Sequence, residues 1–103
     1  MAMKTIMPVL VQHRLRTLGE RLALARRARE LSQIDLAHLA DVGVSTVASL
    51  EGGHHGVSFG NLLKVLKALD LLEQVDSWLL PHLDPAVVEQ GVRAVLPRGR
   101  ARG

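Results

Sequence analysis

Gln33, Ser45, Thr46 and Ser49, with a crowd of arginines, are the side chains of this sequence best equipped to meet a partner. Hydroxyl and amide groups pair with phosphate oxygens or base edges, and guanidinium groups neutralise phosphate. Arg14, Arg16, Arg21, Arg26, Arg27 and Arg29 crowd into one stretch, while Arg93, Arg98, Arg100 and Arg102 close the chain. Such clusters fit a polyanion. A solvated basic face gives the same pattern, so charge alone does not decide. Other chemistry is poorly served. His54 and His55 are adjacent in a glycine loop with no carboxylate at ligand spacing, and the chain has no cysteine. They make a poor metal site, and contact with phosphate or water is the better reading of His54. Neither a Ser/His/Asp arrangement nor a phosphate-cradling glycine motif is present, so no catalysis, cofactor or metal is expected.

The elements that carry these groups are helical. The 103 residues are 48% apolar but hold one Phe, one Trp and no Tyr. Leu, Val and Ala must do the packing, which suits close helices better than a β-sandwich. The length suits one domain with tails. No apolar run reaches the ~18 residues of a membrane span. The patch Ile6–Val11 is too short for a signal peptide and meets no small-residue cleavage site. With cysteine absent, the expectation is a reduced, cytoplasmic protein.

Pro8 can open a short leading helix through Leu15. Thr17 and Glu20 read as a capping box for the next helix, which runs to about Leu31 with Leu18, Leu22 and Ala25 inward. Ser32 and Asp35 cap a second helix over about Gln33–Ala40, burying Leu36, Ala37 and Ala40. After Asp41-Val42-Gly43 a further helix spans Val44–Glu51. Two short helices joined by a three-residue turn containing Gly are the pattern of a helix-turn-helix. Ser58 caps a helix over Phe59–Leu69, with Phe59, Leu62, Leu63, Leu66 and Leu69 as its apolar stripe. Another helix, Leu71–Leu80, stops at Pro81. Asp84-Pro85 opens a last one to about Val95. Beyond Pro97 the sequence reads as a basic, disordered tail.

The stretch Leu31–Gly53 resembles the phage-repressor or XRE-type helix-turn-helix family. The Ser32-Gln33 opening, the Leu36-Ala37 and Thr46-Val47 pairs and the Glu51-x-Gly53 ending all stand at that family's spacing. The resemblance implies an all-α, five-helix domain with a short N-terminal extension and a basic C-terminal tail. The corresponding bounds are 1–16 for the extension, 17–81 for the DNA-binding domain and 82–103 for the C-terminal part. It also implies a transcriptional repressor or autoregulator that binds a palindromic double-stranded operator as a homodimer. Gly56-Val57-Ser58 and the leucine-rich helix after it further resemble HipB-like antitoxins, whose primary partner is a HipA-like kinase toxin.

In that frame the leading residues Gly43, Val44, Ser45 and Thr46 enter the major groove, and Ser49 follows one turn on. Gln33 reaches phosphate or a base edge, the alternative being solvation of a first helical turn. Ala37 and Val47 pack where the two helices cross. Arg26 and Glu51 stand where the family pairs an arginine with the acid ending the reading helix. Gly53 supplies a turn with positive φ. Val65, Leu72, Val75, Trp78 and Leu79 exceed what a small core needs and are assigned to dimerisation, the alternative being that they finish the monomer core. Arg98, Arg100 and Arg102 form a mobile arm on phosphate or in the minor groove, or a solubilising tail. The chain departs from the family in three ways. Asp41 replaces a turn glycine, Gly43 replaces a capping serine, and no Arg, Asn or Gln occupies the leading reading positions. Bidentate readout is therefore missing there, which points to phosphate contacts, thymine methyl contacts and DNA shape.

Overall fold

A computed structural model describes residues 6–96. Helix α1 spans Val9–Ala28, α2 Gln33–Ala40, α3 Val44–Glu51 and α4 Phe59–Ala68. Two short 3-10 helices follow, Leu72–Ser77 and Pro81–Leu83, and then α5, Pro85–Val95. No strand occurs among the described residues. The chain divides between Leu72 and Glu73 into two compact units.

The first unit is built around a core of Leu22, Ala23, Leu36, Ala37, Ala40, Val47, Val65, Leu66 and Leu69. Leu36 and Leu69 are wholly buried, and Val47 and Val65 are 1% exposed. Local chemistry sets the helix ends. The Ser32 hydroxyl accepts from the Asp35 amide at 3.0 Å, and the Asp35 carboxylate accepts from the Ser32 amide at 3.0 Å. This capping box satisfies two donors that the first turn of α2 leaves open. The α2–α3 turn passes through Asp41 at φ 57°, a left-handed conformation that Asp tolerates better than most residues. Lys64 of α4 donates to the Asp41 carbonyl at 2.7 Å, holding that turn against the next helix. Ser58 caps α4 by accepting from the Asn61 amide.

The first helix differs from its sequence expectation. It runs unbroken from Val9 through Thr17, so there is neither a separate leading helix nor a capping box at Thr17. A cap stabilises only the open donors of a first turn, and in the interior of α1 the Thr17 and Glu20 amides belong to the helical ladder. Leu18 is 45% exposed rather than inward. Gly19, Leu22, Ala23 and Arg26 form the buried face instead. Likewise, Phe59 is 60% exposed and lies outside the α4 core stripe.

Val65 cannot serve in dimerisation as assigned. It is 1% exposed in the core of the first unit, because the inward stripe of α4 runs through it. The expected helix Leu71–Leu80 is a single 3-10 segment, Leu72–Ser77, ended well before Pro81. In the second unit α5 begins as expected, with the Asp84 carboxylate accepting from the Ala86 amide at 2.9 Å and Pro85 in the first turn.

Candidate nucleic-acid interface

Helix α3 turns one side inward and the other to solvent. Val47 is inward, Leu50 and Glu51 are half-buried, and Val44, Ser45 and Ala48 are exposed. Ser49 and Thr46 are half-buried at the edge of the outward face. Ser45, Thr46 and Ser49 line an open concavity shared with His54, His55, Ser58 and Asn61. Hydroxyls, an amide and two imidazoles thus converge between α3 and the start of α4. Such donors suit phosphate oxygens and base edges.

The orientation of that face is fixed from behind. The Arg26 guanidinium donates through Nε to Glu51 Oε2 at 2.6 Å and through Nη2 to Oε1 at 3.0 Å. Its Nη1 donates to the Leu31 carbonyl at 2.8 Å. The two side chains are only 10% and 7% exposed. This two-pronged geometry is the strong form of an ion pair. It ties the end of α3 to α1 and to the segment before α2. Glu51 accepts a further bond from Gln33 Nε2 at 2.9 Å. Burial works against the Glu51 carboxylate, but hydrogen bonds from Arg26 and Gln33 and the charges of Arg26 and Arg27 outweigh it. Its pKa lies below the ordinary range. The hydrogen bond to Glu51 correspondingly raises Arg26, against the opposing effect of burial.

Gln33, expected to reach phosphate or a base edge, has its amide nitrogen engaged with Glu51, which leaves one N–H and the carbonyl oxygen for a further partner. Gly43 caps α3 with no side-chain bond. Gly53 has φ +76°, and a Cβ there would stand 2.9 Å from the Arg16 Cα.

Three residues were missed from sequence. Gly19 lies against the end of α3, where a Cβ would be 2.6 Å from the Leu50 carbonyl oxygen and within forbidden range of the Glu51 carbonyl. A glycine inside a helix-forming run was its only signal. Asn61 enters the polar concavity, signalled only by a polar residue in the first turn after capping Ser58. Ala48 is exposed one turn beyond Val44, and small size hid it. Of the six arginines between positions 14 and 29, only Arg26 is buried; the others are exposed. Arg98, Arg100 and Arg102 lie outside the described residues.

A short helix braced by a buried ion pair, with a solvent-facing side free of core duties, is an arrangement suited to reading a groove with one helix. Residues 22–73 match the family model described as helix-turn-helix. The chain belongs to this family, the XRE or phage-repressor type, which is one of DNA-binding transcriptional regulators rather than enzymes. No curated protein matches the chain. No helix among the described residues is long and apolar enough to cross a membrane.

Proposed function

We propose that the protein is a sequence-specific repressor or autoregulator that binds a palindromic operator as a homodimer in the cytoplasm. The observation that carries this reading is the outward face of α3, Val44, Ser45 and Ser49, held at one tilt by the Arg26–Glu51–Gln33 cluster. A reading helix is useful only if its angle to the groove is fixed. One such helix covers a few base pairs, so a two-fold pair of half-sites about 34–36 Å apart gives the needed specificity. Leu72, Trp78 and Leu79, at 38, 41 and 97% exposed, leave apolar surface for a second copy. Half-buried Val75 lies between them in sequence.

Selection of bound sequences from a random DNA pool tests the reading directly. An inverted repeat with helical-turn spacing is the expected product, and sedimentation at micromolar concentration is expected to show a dimer. Ser45→Ala with Ser49→Ala is expected to weaken binding to the selected site about tenfold while leaving random DNA nearly unaffected, since two single hydroxyl bonds together are worth about as much as one bidentate pair at the low end of its ~1–3 kcal/mol. Equal loss on both DNAs would remove α3 from its assigned role.

A further inference from the structure

The outward side of α3 is divided. Its hydroxyls face the polar concavity toward α4. On its other flank Val44 lines a second hollow with Ile34, Ala37, His38, Asp41 and Val42. Ile34 is 59% and Val44 45% exposed. Ala48 continues the same apolar strip one helical turn past Val44 and is also exposed. The core does not include these three; on the same two helices it takes Leu36, Ala37, Ala40 and Val47. We infer that Ile34, Val44 and Ala48 form a methyl-reading strip that selects thymine in the major groove.

This inference rests on the DNA-binding role and narrows it to a base. The strip is continuous with the reading face through Val44, so whatever seats α3 also covers it. The only apolar group on a base edge in the major groove is the thymine C5-methyl. Phosphate is a poor occupant, because the Asp41 carboxylate stands on the rim of the hollow. Lys64 lies 3.9 Å from that carboxylate and gives its closer bond to the backbone carbonyl, so the charge is not fully quenched. With no Arg, Asn or Gln on the outward side of α3, methyl contacts become the base-specific complement to the hydroxyls.

The test uses the full chain and an operator selected from a random pool. Each thymine is replaced in turn by deoxyuridine, which keeps every hydrogen-bonding group and removes only the methyl. At one or two positions per half-site the affinity is expected to fall about fourfold, equivalent to ~0.8 kcal/mol for one buried carbon. In Ile34→Ala and Val44→Ala, both exposed positions, that penalty is expected to shrink below twofold, with the thermal melt unchanged. A selected operator that binds equally well with uracil throughout overturns the strip and leaves the DNA-binding role standing. So does a uracil penalty that both variants keep, or a strip whose substitution alters only binding to another protein. Failure to enrich any sequence overturns the proposed sequence-specific binding and the strip together.

Discussion

The two units of this chain use similar residues to different ends. Up to Leu72, leucines, valines and alanines of four helices interlock, and all the buried apolar side chains among the described residues lie there. After Leu72, no element contains a buried residue. Yet α5 is as strongly two-sided in sequence as any helix of the chain. Val87 and Val88 remain 45% exposed and Val92 53%. An amphipathic pattern says which side of a helix is apolar, not whether anything covers it. Burial in the first unit comes from crossings, made close by Gly19 and Ala37 and fixed by one ion pair. The second unit has its own ion pair, Glu89–Arg93, entirely at the surface. Comparing the two units therefore compares a tertiary lock with local helix chemistry.

The largest expected effect breaks the lock. Glu51→Ala leaves the Arg26 charge nearly buried with only the Leu31 carbonyl, and removing one partner of a buried pair costs about 3–5 kcal/mol. For a domain of this size that lowers the melting temperature by more than ~10 °C. DNA affinity is expected to fall in parallel, as α3 loses its tilt. Replacing both partners by apolar residues (Arg26→Met with Glu51→Leu) is expected to cost less than either single change. The pH dependence follows from the same pair. The folded-state pKa of Glu51 is depressed, so its stabilisation is present above the unfolded carboxylate value of about 4.3. It is lost as the pH falls from there through the lower folded value. Arg26 is raised above its ordinary value, so its contribution holds at every pH below that. Thermal melts are expected to be flat from neutral pH to about 5 and to drop below 4; in Glu51→Ala that drop should shrink to the part left by Asp35, whose carboxylate the Ser32 bonds also hold below its ordinary range.

A smaller effect tests how close the crossing is. In Gly19→Ala the new Cβ meets backbone, not a movable side chain, so α1 and α3 must separate. Overpacking of this kind costs about 1–3 kcal/mol, partly offset by the better helix propensity of alanine. A net loss of about 1 kcal/mol, read by urea denaturation, is expected. An unchanged midpoint would mean that the crossing is loose.

What was legible in the sequence follows the same division. The bounds of α2 and α3 were legible because their signals are local: Ser32 and Asp35 three residues apart, and a turn through Asp41 and Gly43. The start of α1 was not, because Thr17 and Glu20 carry a cap signal that a longer helical run overrides. The α4 stripe was legible, but whether Val65 faces its own core or a second copy depends on what lies opposite. Gln33 and Glu51 are both unmistakable in the family pattern, yet their mutual bond spans eighteen residues and shows only in three dimensions. Gly19 is the plainest case, since nothing beside it in the chain reveals the Leu50 carbonyl that forbids a side chain.

In the second unit an unusual backbone position offers a gain. Leu79 has φ 56° and is 97% exposed. A left-handed conformation costs a residue with a Cβ about 1–2 kcal/mol, and glycine none, although glycine gains more freedom on unfolding. Leu79→Gly is expected to stabilise the isolated protomer by up to about 1 kcal/mol, because no buried surface is lost. Melts at low and high protein concentration separate this from the proposed dimer contact. If the variant is less stable only at high concentration, Leu79 is packed between copies; if it is less stable at both, the left-handed backbone at Leu79 costs less than the freedom glycine gains on unfolding.

The smallest effect belongs to the surface pair. Glu89 and Arg93 meet at 3.0 Å across one turn of α5, with side chains 70% and 65% exposed. The acid precedes the base, the better order for a helix, and Arg93 also lies in the last turn, where a cation suits the helix dipole. Even so, water screens the charges and two long side chains lose freedom on pairing, so such a contact is worth about 0.3–0.5 kcal/mol. Arg93→Ala is expected to shift the melting temperature by no more than about 2–3 °C. In 1 M salt, where the screening length falls to about 3 Å, the shift is expected to shrink to near zero. The Glu51→Ala deficit should persist there, because the Arg26–Glu51 pair is shielded from salt by its own burial. A salt-sensitive Glu51 effect would mean that the lock is a surface contact like the one in α5, and the difference between the two units would lie in packing alone.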